Sequence, residues 1–181
     1  MILAIGGFHG TGKSTVAKKL AEKLNLEYYS TGEAFRDLAE EFGMNLEEFS
    51  KYVEDHPEID KDLDKKVIEV AKDTDKIVID SLLSAYLLKD RADCKILLKA
   101  PLKTRVKRMV DRDNSGFEEK LEETKSRENS EIQRFIELYD IDLTDKQNRD
   151  EVFDLIIDTG THSVEDVIEK IIEYLENEDI K

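Results

Sequence analysis

A glycine-rich segment near the start of the chain carries the residue types that bind phosphate. The spacing Gly-x-x-x-x-Gly-Lys-Ser is formed by Gly7, Gly12, Lys13 and Ser14. Loops with this spacing direct backbone N–H groups at phosphate oxygens, and the lysine adds a full positive charge. The serine hydroxyl is suited to coordinate Mg²⁺. The segment therefore predicts a site for a nucleoside triphosphate with Mg²⁺.

The segments on both sides of this loop are those that such a site needs. Residues 1–5 form an apolar run that is typical of a short buried strand. Residues 14–24 carry apolar side chains every four residues, which is typical of an amphipathic helix. A helix that begins at the loop adds the positive end of its dipole to the anion site. This context argues against a chance match in a surface loop.

Composition limits the classes of protein to which the chain can belong. It has 181 residues, 39% of them hydrophobic, which suits one domain over residues 1–181 with a single core. The net charge of −15 argues against nucleic acid and against membrane surfaces as partners, because both are anionic. We recognise no membrane span and no signal peptide. The lone Cys94 excludes an intramolecular disulfide, so we expect a cytoplasmic protein, and we expect a monomer.

Strand and helix patterns alternate along the rest of the chain. This order predicts an α/β fold with three layers, in which helices cover both faces of a parallel sheet of about five strands. The polar stretch 140–150 is expected to be a loop, and 82–88 a short helix. Besides the first strand, strands are expected at 27–30, 77–80, 95–99 and 155–157, and further helices at 31–42, 46–56, 59–73, 101–110, 117–139 and 163–175.

Arginines recur with helical spacing in the second half of the chain. Three arginines fall on one face of a predicted helix. On the next predicted helix, two arginines and a serine have the same spacing. The two helices therefore predict a hairpin lined with guanidinium groups. Such a hairpin can close over a triphosphate, placing charge around the transferred phosphoryl group and excluding water. The alternative is that the arginines pair with acids beside them, such as Glu128. The two sets are Arg105, Arg108 and Arg112, then Arg127, Ser130 and Arg134, and Gly116 separates them.

Over nearly its whole length the sequence resembles the cytidylate kinases of the short, archaeal kind, which are nucleoside monophosphate kinases. No Asn-Lys-x-Asp motif of a GTPase is present, and the short chain also argues against a motor ATPase. The resemblance implies a P-loop NTPase fold with a helical lid at 105–140 and a small acceptor-binding subdomain at 31–73. It also implies phosphoryl transfer from ATP to CMP with Mg²⁺. The residues that carry it lie at 6–18, 30–36, 55–60, 92–96, 98–101, 127–134 and 158–159.

The resemblance also implies a set of site residues. The ATP-binding residues would be Gly7, Phe8, His9, Gly10, Thr11, Gly12, Lys13, Ser14, Thr15 and Arg108. The acceptor would contact Ser30, Gly32, Arg36, Asp80, Glu131 and Arg134. Lys13, Arg112 and Arg127 would be catalytic, while Ser14, and Asp80 through water, would hold the metal.

One position departs from the family pattern. Where the family typically has an acid, a glycine and an arginine, this chain has Asp80, Ser81 and Leu82. The family arginine binds the acceptor phosphate, so its absence puts the acceptor in question, and Arg91 is a candidate replacement. CMP or dCMP remains the expected acceptor. The alternatives are a different small-molecule acceptor, or a nucleotide-binding regulatory protein with weak ATPase activity.

Overall fold

A computed structural model describes residues 1–180. Its strands are β1 (Ile2–Gly6), β2 (Glu27–Ser30), β3 (Ile77–Asp80), β4 (Cys94–Lys99) and β5 (Leu155–Asp158). They form one sheet in the order β2-β3-β1-β4-β5, and all neighbours pair in parallel. The predicted five-stranded parallel sheet is confirmed.

Nine helices lie within the described residues. The element that follows each strand is a helix or a helical group, as parallel strands require. The helices are α1 (Lys13–Leu24), α2 (Thr31–Glu41), α3 (Leu46–Glu54), α4 (Pro57–Asp73), α5 (Ser84–Leu87), α6 (Leu102–Asp113), α7 (Phe117–Tyr139), α8 (Lys146–Val152) and α9 (Val164–Asn177). Among residues 1–180, none is both long and apolar enough to cross a bilayer.

The alternation of side chains along β1 explains the three layers. Leu3 and Ile5 belong to a core cluster that includes buried residues of α1 and α9. Ile2 points to the opposite face and packs with Val67 and Ala71 of α4. Because β1 is the central strand and is buried on both faces, helices must cover both sides of the sheet.

Helices α2 and α3 form a smaller cluster with the start of α4. Its fully buried members are Phe49 and Val53 of α3, and Phe35 of α2 packs edge-on against the Phe49 ring with centroids 4.8 Å apart. Leu63 of α4 closes this cluster. These elements occupy the segment 31–73, which the sequence predicts as the acceptor-binding subdomain.

The stretch predicted as a loop at 140–150 is partly helical, so that prediction is wrong for α8. The side chain of Asp145 accepts hydrogen bonds from the backbone N–H groups of Gln147 and Asn148 and thereby caps the helix. Only Val152, at its last residue, is buried. A helix with one buried residue lacks the apolar period by which the sequence would reveal it.

Candidate active site

The phosphate loop connects the central strand β1 to α1. Gly7 has a φ of 140°, and a Cβ atom there would lie 2.2 Å from the carbonyl oxygen of Leu98. Gly12 has a φ of 92°, but a Cβ atom there would meet nothing within 4 Å. The first glycine is therefore required by space as well as by conformation, and the second by conformation alone. Both glycines thus permit a backbone path that a residue with a side chain would not readily adopt.

Lys13 and Ser14 begin α1 beside the carboxyl end of β3. The Lys13 ammonium donates to the carbonyl oxygen of Phe8 at 3.3 Å. Burial lowers the pKa of Lys13, and the charges of Asp80 and Glu131 oppose this effect. The Ser14 hydroxyl donates to Oδ2 of Asp80 at 2.6 Å. The lysine and a hydroxyl–carboxylate pair thus lie together at the mouth of the phosphate loop.

A cleft of about 1040 Å³ extends from the phosphate loop to the cluster of α2, α3 and α4, which the sequence predicts to bind the acceptor. Most of the predicted site residues line it, namely residues 9–15 with Gly32, Arg36, Asp80, Arg108, Arg112, Arg127, Glu131 and Arg134. Gly7, Phe8 and Ser30 do not. The Phe8 ring instead packs with Leu83 and Phe135, and only its carbonyl oxygen faces Lys13. Ser30 caps α2 and donates to Asp80 at 3.2 Å.

The arginines of α6 have three different environments. Arg105 is buried in an ion pair with Glu128 and also donates to the His9 carbonyl oxygen at 2.8 Å. Arg105 therefore lies between the two helices but does not line the cleft, and for this arginine the alternative of pairing with a nearby acid is confirmed. Arg108 donates to the carbonyl oxygen of Thr159 at 2.6 Å and contacts carbonyl oxygens of the phosphate loop. Arg112 pairs with Asp113 at the cleft mouth, where its side chain is 68% exposed.

Helix α7 reaches the phosphate loop through Glu131. Its carboxylate lies 2.8 Å from Nε2 of His9, and Arg127 donates to it at 3.2 Å. Burial alone would raise the pKa of Glu131, but His9, Arg127 and Arg134 together lower it to about 2. Burial lowers the pKa of His9. A carboxylate anion therefore links the loop to the lid helix and orients Arg127.

We call the part of the cleft lined by α2, α4 and α7 the acceptor half, because the sequence predicts that the acceptor binds there. It holds one arginine that is paired with an acid and one that is not. Arg134 donates to Oδ2 of Asp60 at 2.7 Å, and both side chains are buried. Arg36 lines the same cleft, is exposed, and has no salt bridge with any residue in 1–180. Arg36 is thus available to an anionic ligand, whereas Arg134 is already partly neutralised.

The position that departs from the family pattern lies in this half. Leu82 lines the cleft and packs beside Leu83 and Phe135. Arg91, the suggested replacement for the family arginine, donates through Nε to the carbonyl oxygen of Ala71. Arg91 therefore binds the carboxyl-terminal part of α4 and does not line the cleft, so that suggestion is wrong.

Comparisons with known proteins agree with this geometry. The profile of the cytidylate kinase-like family matches residues 2–161. The chain belongs to this family. It is 41% identical over 179 residues to a cytidylate kinase of Methanocaldococcus jannaschii, covering 98% of each chain. It is 44% identical over 169 residues to a cytidylate kinase of Aeropyrum pernix, covering 93% of this chain and 95% of the relative.

The fold is also that of solved kinases. A shikimate kinase from Acinetobacter baumannii superimposes with a TM-score of 0.63 at 16% identity, covering 99% of this chain and 95% of that one. At this identity the likeness shows the fold alone. The predicted P-loop NTPase architecture is confirmed for this member of the cytidylate kinase-like family.

Sequence reasoning missed a pair of acids in the cleft of this kinase. Asp60 and Asp64 project from the same side of α4, and the latter accepts a hydrogen bond from the Tyr139 hydroxyl at 2.8 Å. Their spacing of four residues was a detectable signal, because it places both beside the apolar positions Leu63 and Val67. Most acids in this acidic chain are exposed, so the spacing alone did not single these two out.

Proposed function

We propose that the protein is an ATP-dependent nucleoside monophosphate kinase that phosphorylates CMP or dCMP. The observation that supports this most is one cleft that joins the phosphate loop to the acceptor subdomain. ATP would occupy the part of the cleft beside Lys13, and the acceptor the part lined by Arg36, with its phosphate toward the ATP phosphates. The membership of the cytidylate kinase-like family supports cytidine nucleotides as the acceptors.

The chemistry is transfer of the γ-phosphoryl group of ATP to an oxygen of the acceptor phosphate. The bond from the γ-phosphorus to the bridging oxygen breaks, a new bond to the acceptor oxygen forms, and the products are ADP and a nucleoside diphosphate. In this chain Lys13 and the loop amides would stabilise charge on the ATP phosphates, and Arg127 would approach from α7. No general base is needed, because the acceptor phosphate oxygen is already anionic.

The residues at the end of β3 suit a divalent cation. A hydroxyl and a buried carboxylate provide the oxygen ligands that Mg²⁺ prefers, with water completing its shell. Ser14 would contact the ion directly and Asp80 through water. An ion held there would neutralise charge on the ATP phosphates. Ser30 and Tyr28 donate hydrogen bonds to the Asp80 carboxylate, at 3.2 and 3.3 Å, and orient it.

The test is a coupled assay of ADP formation with a panel of acceptors. The panel comprises CMP, dCMP, UMP, AMP, GMP and shikimate, and a reaction without acceptor measures ATPase activity. We expect CMP and dCMP to be the best acceptors. Transfer to shikimate but to none of the nucleotides would refute the proposal in favour of a different small-molecule acceptor. ATP hydrolysis with no transfer to any acceptor would refute it in favour of a nucleotide-binding protein with weak ATPase activity.

A further inference from the structure

One buried carboxyl group in the cleft has no part in the reaction described above. Asp60 and Asp64 lie one turn apart on α4, both line the cleft, and each is 6% exposed. Arg134 neutralises Asp60. Within residues 1–180, no arginine, lysine or histidine forms a salt bridge with Asp64. A buried carboxylate without a cation is costly, so its presence in a ligand cleft calls for an explanation.

The carboxyl group of Asp64 is only partly satisfied by the protein. The Tyr139 hydroxyl donates to Oδ2, and the rest of the described chain gives it no second hydrogen bond. Burial and the nearby charge of Asp60 raise its pKa to about 7, although the Tyr139 bond opposes this. A hydrogen-bond donor on a ligand would stabilise the ionised form.

Two other polar groups, one that lines the cleft and one near Asp64, also lack partners. The hydroxyl oxygens of Tyr29 and Thr31 are buried and form no hydrogen bond within residues 1–180. Thr31 lines the cleft, and Tyr29 is close enough for the charge of Asp64 to raise its pKa, in addition to the effect of burial. Unsatisfied buried polar atoms are rare in native proteins. One such hydroxyl in the cleft and another near Asp64 indicate that a polar ligand belongs in this cleft.

The distance from the phosphate loop suits a nucleotide. Along α7, Glu131 contacts the loop, Arg134 contacts Asp60, and Tyr139 contacts Asp64. Eight residues separate the first and last of these positions, which is about 12 Å along a helix. A nucleoside monophosphate has a comparable length. With its phosphate at the loop end, its base would lie near Asp64.

We propose that Asp64 selects cytosine over uracil by accepting a hydrogen bond from the 4-amino group of the base. Uracil has a carbonyl oxygen at that position, and two acceptors facing each other repel. Phe35 and Leu63, which pack together on the same side of the cleft, provide apolar surface for the ring. This inference rests on the proposed nucleotide kinase function and adds the residue that reads the base.

The experiment measures kcat/KM for three acceptors with the native protein and two variants. The acceptors are CMP, UMP and the 5′-monophosphate of pyrimidin-2-one riboside, which lacks the 4-amino group. The variants are Asp64→Asn and the matched control Asp62→Asn, which changes an exposed acid on the same helix. The asparagine amide can donate to the uracil O4.

In the native protein and in Asp62→Asn, we expect CMP to be preferred over UMP, and the analogue to be about tenfold or more poorer than CMP. In Asp64→Asn, the ratio of kcat/KM for CMP to kcat/KM for UMP should fall by about ten- to hundredfold. In the same variant, kcat/KM for the analogue should be close to that for CMP. An unchanged ratio in Asp64→Asn, or no penalty for the analogue in the native protein, would overturn the inference alone. No transfer to any nucleotide would overturn the kinase proposal with it. The analogue comparison requires only the native protein, so the absence of a penalty would overturn the inference even if Asp64→Asn folds poorly.

Discussion

The two halves of the cleft are built in different ways. The half predicted to bind ATP is formed mainly by contiguous residues 9–15, whose backbone follows from a strand, a glycine loop and a helix start, with Arg108 from α6. The acceptor half is formed by side chains from α2, α4 and α7 and from the segment after β3. Those side chains are far apart in the chain, and each depends on the packing of its own element.

The cationic side chains of the two halves also differ in their binding partners. In the ATP half, Lys13 and Arg108 donate to backbone carbonyl oxygens and form no salt bridge within residues 1–180. In the acceptor half, Arg134 is paired with Asp60, and a leucine stands where the family typically has an arginine. Arg36 lines the cleft there and forms no salt bridge within residues 1–180. The two halves therefore differ in how many of their cations are already paired with acids of the protein.

The largest expected effect lies in the ATP half. Replacing Lys13 with Ala should reduce phosphoryl transfer by about 10² to 10³ or more, because one preorganised positive charge is removed from the transferring phosphates. The measurement is kcat/KM for ATP at saturating acceptor. Lys19→Ala is the control, since Lys19 lies on the same helix and pairs with Glu165 at the surface. Near-normal turnover of Lys13→Ala would refute this role for the loop.

The next largest effect is expected at Arg127 of α7. Arg127→Ala should lower kcat by about 10² and change KM for ATP less, because its charge is needed most in the transition state. Lys125→Ala provides the control, as Lys125 is on the same helix and pairs with Glu122 at the surface. A raised KM with an unchanged kcat would mean that Arg127 only binds substrate.

Restoring the family residue tests the weakness of the acceptor half. Leu82→Arg should tighten acceptor binding by up to about 10², the scale of one charge-assisted bidentate pair. The measurement is KM for CMP, with Leu82→Met as a control that keeps the side chain apolar. If Leu82 marks a different acceptor, the arginine would instead be an unpaired charge beside Leu83 and Phe135, and CMP kinetics would not improve.

The smallest effect concerns stability without ligand. The pKa of Asp64 is raised from 3.8 to about 7 in the folded protein, so folding favours its protonated form. Its contribution to stability is present at low pH and is lost as pH rises through about 7. Between pH 6 and pH 7 the native protein should lose about 1 kcal/mol of unfolding free energy relative to Asp64→Asn. Urea unfolding at both pH values measures this, and parallel pH profiles of the two proteins would contradict it.

Local patterns in the sequence determined most of the fold and the ATP half. The phosphate loop, the parallel strands and the capped starts of α3 and α9 depend on residues within a few positions of one another. Periodicity and capping report such interactions directly. Helix α8 was not predicted, because it has one capping side chain and one buried residue at its end, and therefore no apolar period in the sequence.

Only the tertiary structure decided which charged side chains are paired within the protein and which could bind a ligand. The spacing of the arginines was visible in the sequence, but it does not show that Glu128 neutralises Arg105, that Asp60 pairs with Arg134, or that Arg36 is left free. Each pairing joins residues more than twenty positions apart, and helix packing sets it. The same is true of Asp64, because only packing shows that it is buried in the cleft and that no cation in residues 1–180 forms a salt bridge with it. Sequence spacing fixes the face of a helix on which a charged group lies, and packing fixes what that group meets.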